Sequence, residues 1–403
     1  MKIFHTADWH IGHIFYGYDR TQEHEHFLNW LLQQTRIQHP DVVLIAGDVF
    51  DSYKISVNSV CLFENFLEQL TRENPEMRTI ITTGNHDYLR QQESSQAIYN
   101  RLGVQVRTQI PRDSKGNIDY EELCIPVSAV NNPEETAVIL AVPFLEEKDI
   151  DGDIVFFFEE LIKTAQKRFS NAPIILMAHI FASGAKMAIP ESYKNVFVEA
   201  YNVVDVDSLS TKVSYMALGH IHDAQAVNGN NKIWYSGSPL ALDFHERDFQ
   251  HGINMINIQT DGSGILERLI YQPLCQVMSV PSDGGMSIHD AMKFVSSFER
   301  ANKKEQDIAY PYVEIKIKED SLTDQKMEML EEEISQRQIR VCKLKNILTQ
   351  KQGKVDLTSE DIQQIIPGKI VRDAYRQAYN EEMPDNMTQM LAEVKRTCEK
   401  CEQ

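Results

Sequence analysis

The sequence predicts an α/β protein, a sandwich of helices packed on β-sheets that continues into a small βαβαβ unit and a helical tail. Three observations predict it. Over residues 1–272, short β-branched runs alternate with longer segments of helical spacing, the pattern of strands and helices packed in layers. From Cys275 the alternation becomes strand, helix, strand, helix, strand within a short span. From Gly353 the strand patterns stop, and Pro367-Gly368 and Pro384-Asp385 punctuate two amphipathic helical segments. The expected domains are 1–272, 273–348 and 349–403.

Within the first domain, Ile3–Thr6, Val42–Ala46, Thr79–Thr82, Ile139–Val142, Ile174–Ala178 and Tyr215–Leu218 read as buried strands. Gln22–Gln38, Val57–Arg72, Glu93–Leu102 and Ile154–Arg168 carry helical periodicity. Asn228-Gly229-Asn230 signals a turn, and Lys232–Ser236 follows it as a strand. In the second domain the strands are Val277–Val280, Tyr312–Lys318 and Arg340–Leu344, the helices Ser287–Arg300 and Asp324–Gln336, and the charged stretch Ala301–Asp307 an exposed loop. In the tail, Val371, Ala374, Tyr375 and Ala378 share one helical face, as do Met387, Met390, Leu391 and Val394. Helices this short are marginal alone, so these faces need a partner.

Composition narrows the class. With 42% hydrophobic and 25% charged residues the 403-residue chain is ordinary for a globular protein. No apolar run approaches the roughly 18 residues of a membrane helix, and the N-terminus reads as a first strand rather than a leader. Six scattered cysteines suggest reduced thiols in the cytoplasm. Cys398 and Cys401 form a CxxC pair with no second pair to complete a zinc site. A formal charge of −19 argues against a protein that grips nucleic acid by a broad basic surface. Divalent metals and a partner subunit are the expected sources of positive charge.

The chemistry lies at the strand ends. Asp8-Trp9-His10 follows the first strand, Gly47-Asp48-Val49-Phe50-Asp51 the second and Gly84-Asn85-His86-Asp87 the third. His179 ends the Ile174–Ala178 strand, and Gly219-His220-Ile221-His222 follows Tyr215–Leu218. Loops at the carboxyl ends of strands are where α/β folds gather ligand groups. Mixed imidazole, carboxylate and amide donors suit borderline or hard divalent ions such as manganese, iron or zinc. Any one motif alone is unremarkable: Asp-x-His is common, Gly-Asn-His-Asp makes a turn, and a buried histidine is usually just hydrogen-bonded. Five such elements, each at a strand end, point to a metal cluster.

In that order the motifs resemble the calcineurin-like metallophosphoesterase superfamily, whose pattern runs Asp-x-His, Gly-Asp-x-x-Asp, Gly-Asn-His-Asp/Glu, His, Gly-His-x-His. The resemblance implies a four-layer α/β/β/α sandwich and two divalent metal ions. It places Asp8, His10 and His222 on the first metal, Asn85, His179 and His220 on the second, and Asp48 between them. It makes His86 a catalytic residue facing substrate and Asp51 the carboxylate that partners it.

The run Thr6–Gly12, continuing through Phe15-Tyr16, Arg20, Glu23 and His24 to Phe27–Leu31, is similar to the bacterial SbcD group of double-strand-break repair nucleases. The order of domains fits that group, with the βαβαβ unit as a capping domain. The resemblance implies manganese-dependent 3′-to-5′ exonuclease action on duplex DNA ends, endonuclease action on single strands and hairpins, and ATP dependence on duplex through an ATPase partner, SbcC. It further implies a homodimer within a heterotetramer, with part of Val57–Arg72 in the dimer interface and the tail 349–403 docked on SbcC. The same helix carries Val60, Phe63, Phe66, Leu67 and Leu70 at core-facing spacing, so a plain packing role is the competing expectation. Candidate DNA contacts are His13, Tyr16 and Lys54. The chain departs from the group after Asp51, where Ser52-Tyr53-Lys54-Ile55-Ser56 lacks the expected proline-rich turn. A protein phosphatase is disfavoured, because Asp-Arg-Gly is absent from the second motif and Asp87, not Glu, ends the third. Two alternatives from other classes are a small-molecule phosphodiesterase and a non-catalytic scaffold. The first would cleave a simple diester and spare DNA. The second is expected to have lost ligands, whereas every position is filled here.

Overall fold

The computed structural model describes residues 1–52, 54–87, 96–150, 152–186, 203–300, 309–318 and 324–346. The tail 349–403, the charged loop 301–307, and Cys398 and Cys401 lie outside the described residues.

The chain begins with β1 (Lys2–Thr6), the small hairpin β2 (Ile14–Phe15) and β3 (Tyr18–Asp19), and α1 (Thr21–Gln38). It continues through β4 (Val42–Ala46), α2 (Val57–Glu73), β5 (Arg78–Thr82), α3 (Gln96–Arg101) and β6 (Val104–Arg107). Next come β7 (Cys124–Ala129), β8 (Asn132–Val142), α4 (Ile154–Arg168), β9 (Ile174–His179), β10 (Tyr215–Gly219), β11 (Gln225–Ala226) and β12 (Ile233–Tyr235). Finally β13 (Gly252–Ile258) and β14 (Gly264–Ile270) lead into β15 (Val277–Val280), α5 (Ile288–Ser296), β16 (Tyr312–Ile317), α6 (Asp324–Ser335) and β17 (Arg340–Asn346).

Among the described residues these strands form two six-stranded sheets, ordered β14-β13-β1-β4-β5-β6 and β11-β12-β10-β9-β8-β7. The strands β1, β4, β5 and β6 run parallel, as do β8, β9, β10 and β12, while the outer strands β13, β14, β7 and β11 pair antiparallel. Strand alternation sorts the core into layers. Val42, Leu44 and Ala46 face Ile139, Ala141, Ile175 and Met177 of the second sheet. Val43 and Ile45, one residue out of phase, face α1 and α2 through Phe27, Leu31, Phe63 and Leu67. On the far side Leu140, Leu176 and Leu218 receive Phe158, Leu161 and Ile162 of α4. The result is the four-layer α/β/β/α sandwich, and strands buried on both faces explain the continuous apolar runs.

Helices α2 and α4 begin where side chains cap them. Ser56 accepts a bond from the Ser59 amide at the start of α2, and Asp153 accepts from Val155 and Phe156 at the start of α4. In α2, Phe63, Phe66, Leu67 and Leu70 are buried, so the apolar stripe serves the core, while Val57 and Cys61 are exposed.

Besides the two-residue strands β2, β3 and β11, four longer strands, β6, β7, β13 and β14, all in the outer parts of the sheets, have no counterpart among the strands expected from sequence. The reason is chemical. β7 contains Pro126, tolerated near a sheet edge. β13 places Asn254 in the core, where the Arg268 guanidinium donates to its carbonyl oxygen at 2.8 Å. Such buried amides break the apolar pattern on which strand recognition depends.

The cap is a three-stranded parallel sheet, β15-β16-β17, backed by α5 and α6 through Ala291, Val295, Val313, Ile315 and Leu330. It meets the sandwich at Tyr312, which packs against Phe15 beside Phe244 and Cys275. The Tyr312 hydroxyl donates to the Glu23 carboxylate at 2.8 Å, and the same carboxylate receives a bidentate pair from Arg20 at 2.8 and 2.9 Å.

Candidate metal centre

The predicted ligands lie at or just beyond the ends of β1, β4, β5, β9 and β10, and the two sheets bring these ends together. Backbone bonds weld the first two loops: the Asp8 amide donates to the Gly47 carbonyl and the His10 amide to the Asp48 carbonyl, both at 3.0 Å. Asp8, His10, Asp48 and His220 all have left-handed φ angles of 56°, 48°, 49° and 103°. Four non-glycine residues in that region at one place mark backbone strain held for function. Gly47 and Gly84 make the crowding possible. A Cβ on Gly47 would lie 2.2 Å from His179 Nδ1, and one on Gly84 2.1 Å from Asp48 Oδ1.

Asp87 fastens the second and third loops, its oxygens accepting from the Phe50 amide at 2.9 Å and the Gly84 amide at 2.7 Å. Burial, reinforced by the nearby Asp48 charge, pushes its carboxyl up to about 7.

The donor atoms converge. One ligand atom each from Asp8, His10 and His222 lies within 4.8 Å of the others, as do those of Asp8, Asp48 and His179. Asn85 Oδ1 sits 3.1 Å from both His179 Nε2 and His220 Nδ1. Asp48 Oδ2 is 3.3 Å from His179 Nε2 and 3.7 Å from His10 Nε2, between the two groups. Its Oδ1 accepts from the His86 amide at 2.9 Å. Asp8 thus reaches toward both halves of the cluster, whereas the sequence pattern assigned it to one.

This donor set fits divalent cations. His179 Nδ1 meets the Ala46 carbonyl at 2.8 Å and must donate there. Its Nε2 then faces two oxygens, Asn85 Oδ1 and Asp48 Oδ2, so either a proton or a metal cation sits between them. Burial opposes a charge on His179, yet the Asp48 carboxylate overrides it and raises the imidazole to about 9. Burial lowers His220 to about 3, leaving it a neutral lone-pair donor. Neither ring nitrogen of buried His10 makes a hydrogen bond; Nδ1 only approaches the Asp51 carboxylate at 3.3 Å and Nε2 the Asp48 carboxylate at 3.7 Å. A buried imidazole without hydrogen bonds, set between carboxylates, is what a cation resolves.

His86 stands at the exposed rim, its ring edge-on to His10 at 5.2 Å. The expected partnership with Asp51 takes a different form. His86 Nδ1 lies 3.1 Å from the Asp51 backbone carbonyl, whereas the Asp51 carboxylate lies 3.3 Å from His10 Nδ1. The motif spacing brings Asp51 beside His86, but loop geometry turns its side chain toward the deeper histidine. Of the candidate DNA contacts, His13 is half-buried with Nδ1 unpartnered, and Lys54 is exposed. Tyr16 stacks near Phe15 and Phe244 with the Lys343 ammonium 4.3 Å from its ring centre. Glu246 is a site residue that no motif marks. It accepts from His222 Nδ1 at 2.7 Å, and nothing in Asp243-Phe244-His245-Glu246 announces it, because the pairing crosses a loop.

Fold and cluster define a phosphoesterase, and residues 1–224 match the calcineurin-like phosphoesterase family. The chain belongs to that family, and membership implies a divalent-metal centre and hydrolysis of phosphoester bonds. Within it, the chain is similar to the SbcD component of nuclease SbcCD from Rhodobacter capsulatus, 29% identical over 273 residues covering 64% of this chain and 66% of the relative. It is similar to SbcD of Escherichia coli K12, 26% identical over 300 residues and 70% of each chain. SbcD of Staphylococcus epidermidis is 27% identical over 273 residues, 65% of this chain and 67% of the relative. The matches thus span about two thirds of the relatives' length, and they agree with the resemblance read from the motifs. No described helix is long and apolar enough to cross a membrane.

Proposed function

We propose that the chain is the nuclease subunit of an SbcCD-type complex, hydrolysing DNA phosphodiester bonds with two divalent ions, manganese in the first instance. The observation that carries the reading is the convergence of the His179 and His220 rings on Asn85 Oδ1, with Asp48 Oδ2 beside His179, whose Nδ1 is already committed to the Ala46 carbonyl. We assign Asp8, His10 and His222 to one ion, Asn85, His179 and His220 to the other, and Asp48 to both. Divalent ions in such a cluster polarise a phosphoryl group and lower the pKa of water.

The protein's own residues do the rest. The left-handed loops and Asp87 hold the donors rigid before substrate arrives. His86, with Nδ1 fixed by the Asp51 carbonyl, presents Nε2 to substrate. When protonated it donates to the departing 3′ oxygen or to the charge developing on the phosphoryl oxygens. The Asp51 carboxylate steadies the His10 ring. His13, Tyr16 and Lys54 line the approach and contact the DNA backbone. SbcC supplies the wider basic surface that a chain of charge −19 lacks. The tail from 349 docks on SbcC, which makes cleavage of duplex ends ATP-dependent, and two copies pair within a heterotetramer.

The test is cleavage of a labelled hairpin and a labelled duplex with manganese, with and without SbcC. Hairpin cleavage by the protein alone, and ATP-dependent duplex processing with SbcC, are expected. Hydrolysis of bis-p-nitrophenyl phosphate with no cleavage of either DNA would replace this reading with a small-molecule phosphodiesterase.

A further inference from the structure

The two halves of the cluster are supported differently. His179 rests its Nδ1 on a neutral group, the Ala46 carbonyl. His222 rests its Nδ1 on a carboxylate, Glu246 Oε1, at 2.7 Å. Glu246 is itself fixed, because its second oxygen accepts from the Leu242 amide at 2.7 Å. The loop is anchored at two points just ahead of Glu246: the Arg20 guanidinium donates to the Ala241 carbonyl, and the buried Phe244 ring packs 5.3 Å from Phe15. The His222 ring therefore has one nitrogen, Nε2, left to meet an ion, and its plane is set edge-on to His10 at a 5.1 Å centroid separation.

We infer that Glu246 is a positioning residue for His222, fixing the imidazole's tautomer and plane and strengthening Nε2 as a donor to the ion held with Asp8 and His10. The inference rests on the reading of His222 as a ligand. A carboxylate behind a ligating imidazole raises its basicity, and losing such a partner lowers metal affinity by roughly 10–100-fold. The effect is confined to one half of the cluster, since the rings of His179 and His220 bond to Ala46 and Asn85 instead.

Calorimetric titration of manganese into metal-free full-length protein tests this, alongside thermal unfolding of the metal-free form and visible absorption of the cobalt-substituted form. In Glu246→Ala, one site weakens by roughly 10–100-fold, the other keeps its affinity, and the cobalt spectrum changes for one ion. Metal-free unfolding stays near wild type. Glu246→Gln has one oxygen for two N–H donors, so it weakens the same site less, and it carries the test if the alanine variant does not fold. Wild-type affinity at both sites in either variant overturns the inference. So does an equal loss at both sites together with a lowered metal-free melting temperature, which is the signature of a loop that merely holds the fold. If wild-type protein binds no divalent ion, the metal centre itself is refuted, an outcome distinct from these.

Discussion

Asp48 Oδ2 lies between His10 and His179, so its role is tested by what happens to both halves at once. Asp48→Ala removes the shared charge and leaves two cations repelling each other. Metal analysis should find clearly fewer than two ions per chain, with cleavage lost; full occupancy with full activity would refute the bridging role. His86 is the contrasting case, since its ring touches the rim rather than the ion pocket. His86→Ser should lose roughly 10²–10⁴-fold in cleavage while keeping its metal content, and metal loss instead would make His86 a ligand. Deeper in the sandwich, His5 bonds Tyr215 Oη at 2.9 Å and the Leu218 carbonyl at 3.1 Å beside Asn254 and Arg268. Burial holds its imidazole down at about 3 from 6.5. The unfolded chain therefore takes up a proton first as pH falls. The stability His5 contributes is complete above 6.5 and erodes as pH drops toward 3. Urea unfolding of metal-free protein at pH 7 and pH 5 should show wild type losing about 2 kcal/mol more than His5→Gln. Equal losses would mean that His5 is not the group responsible.

At the scale of elements, the loops after β4 and β5 matter more than the strands that deliver them. A Cβ on Gly84 meets both the Asp48 carboxylate and, at 2.5 Å, the Asp48 amide nitrogen, a clash with backbone that no side-chain rotation relieves. Gly84→Ala should therefore cost about 1–3 kcal/mol, as overpacking does, and lower metal affinity through the displaced Asp48. Chemical denaturation and metal titration of one preparation measure both, and unchanged values for both would show that the loop has room. The strands were legible because the central ones are apolar on both faces. The outer strands β13 and β14 were not, since β13 carries Asn254 and β14 the Arg268 that satisfies it.

At the scale of the molecule, the cap is tied to the sandwich through a buried charge pair. Arg20 and Glu23 are nearly inaccessible, and Tyr312 of the cap donates to the same carboxylate. Arg20→Met leaves Glu23 buried with only that hydroxyl, at a cost of about 3–5 kcal/mol. The double variant Arg20→Met/Glu23→Leu should recover much of it, because the unpaired charge is gone. Urea denaturation of the single variants and the double variant measures this, and a double variant as unstable as the sum of both single losses would contradict it. The net charge of −19 is also a whole-molecule property, and it is the reason DNA binding is assigned in large part to a partner.

By itself the sequence determined the alternation of strands and helices, the change of character near Cys275 and the candidate ligands at five strand ends. Each is written in local order: side-chain periodicity, glycine where a chain must turn, and metal-binding residue types directly after a strand. Tertiary structure alone decided the rest. It turned the Asp51 carboxylate to His10, gave Asp8 a place in both ligand groups, and brought Glu246 to His222 across 24 positions of chain. Those are contacts between loops from different strands. Their partners are chosen by how two sheets stack, which no local pattern encodes.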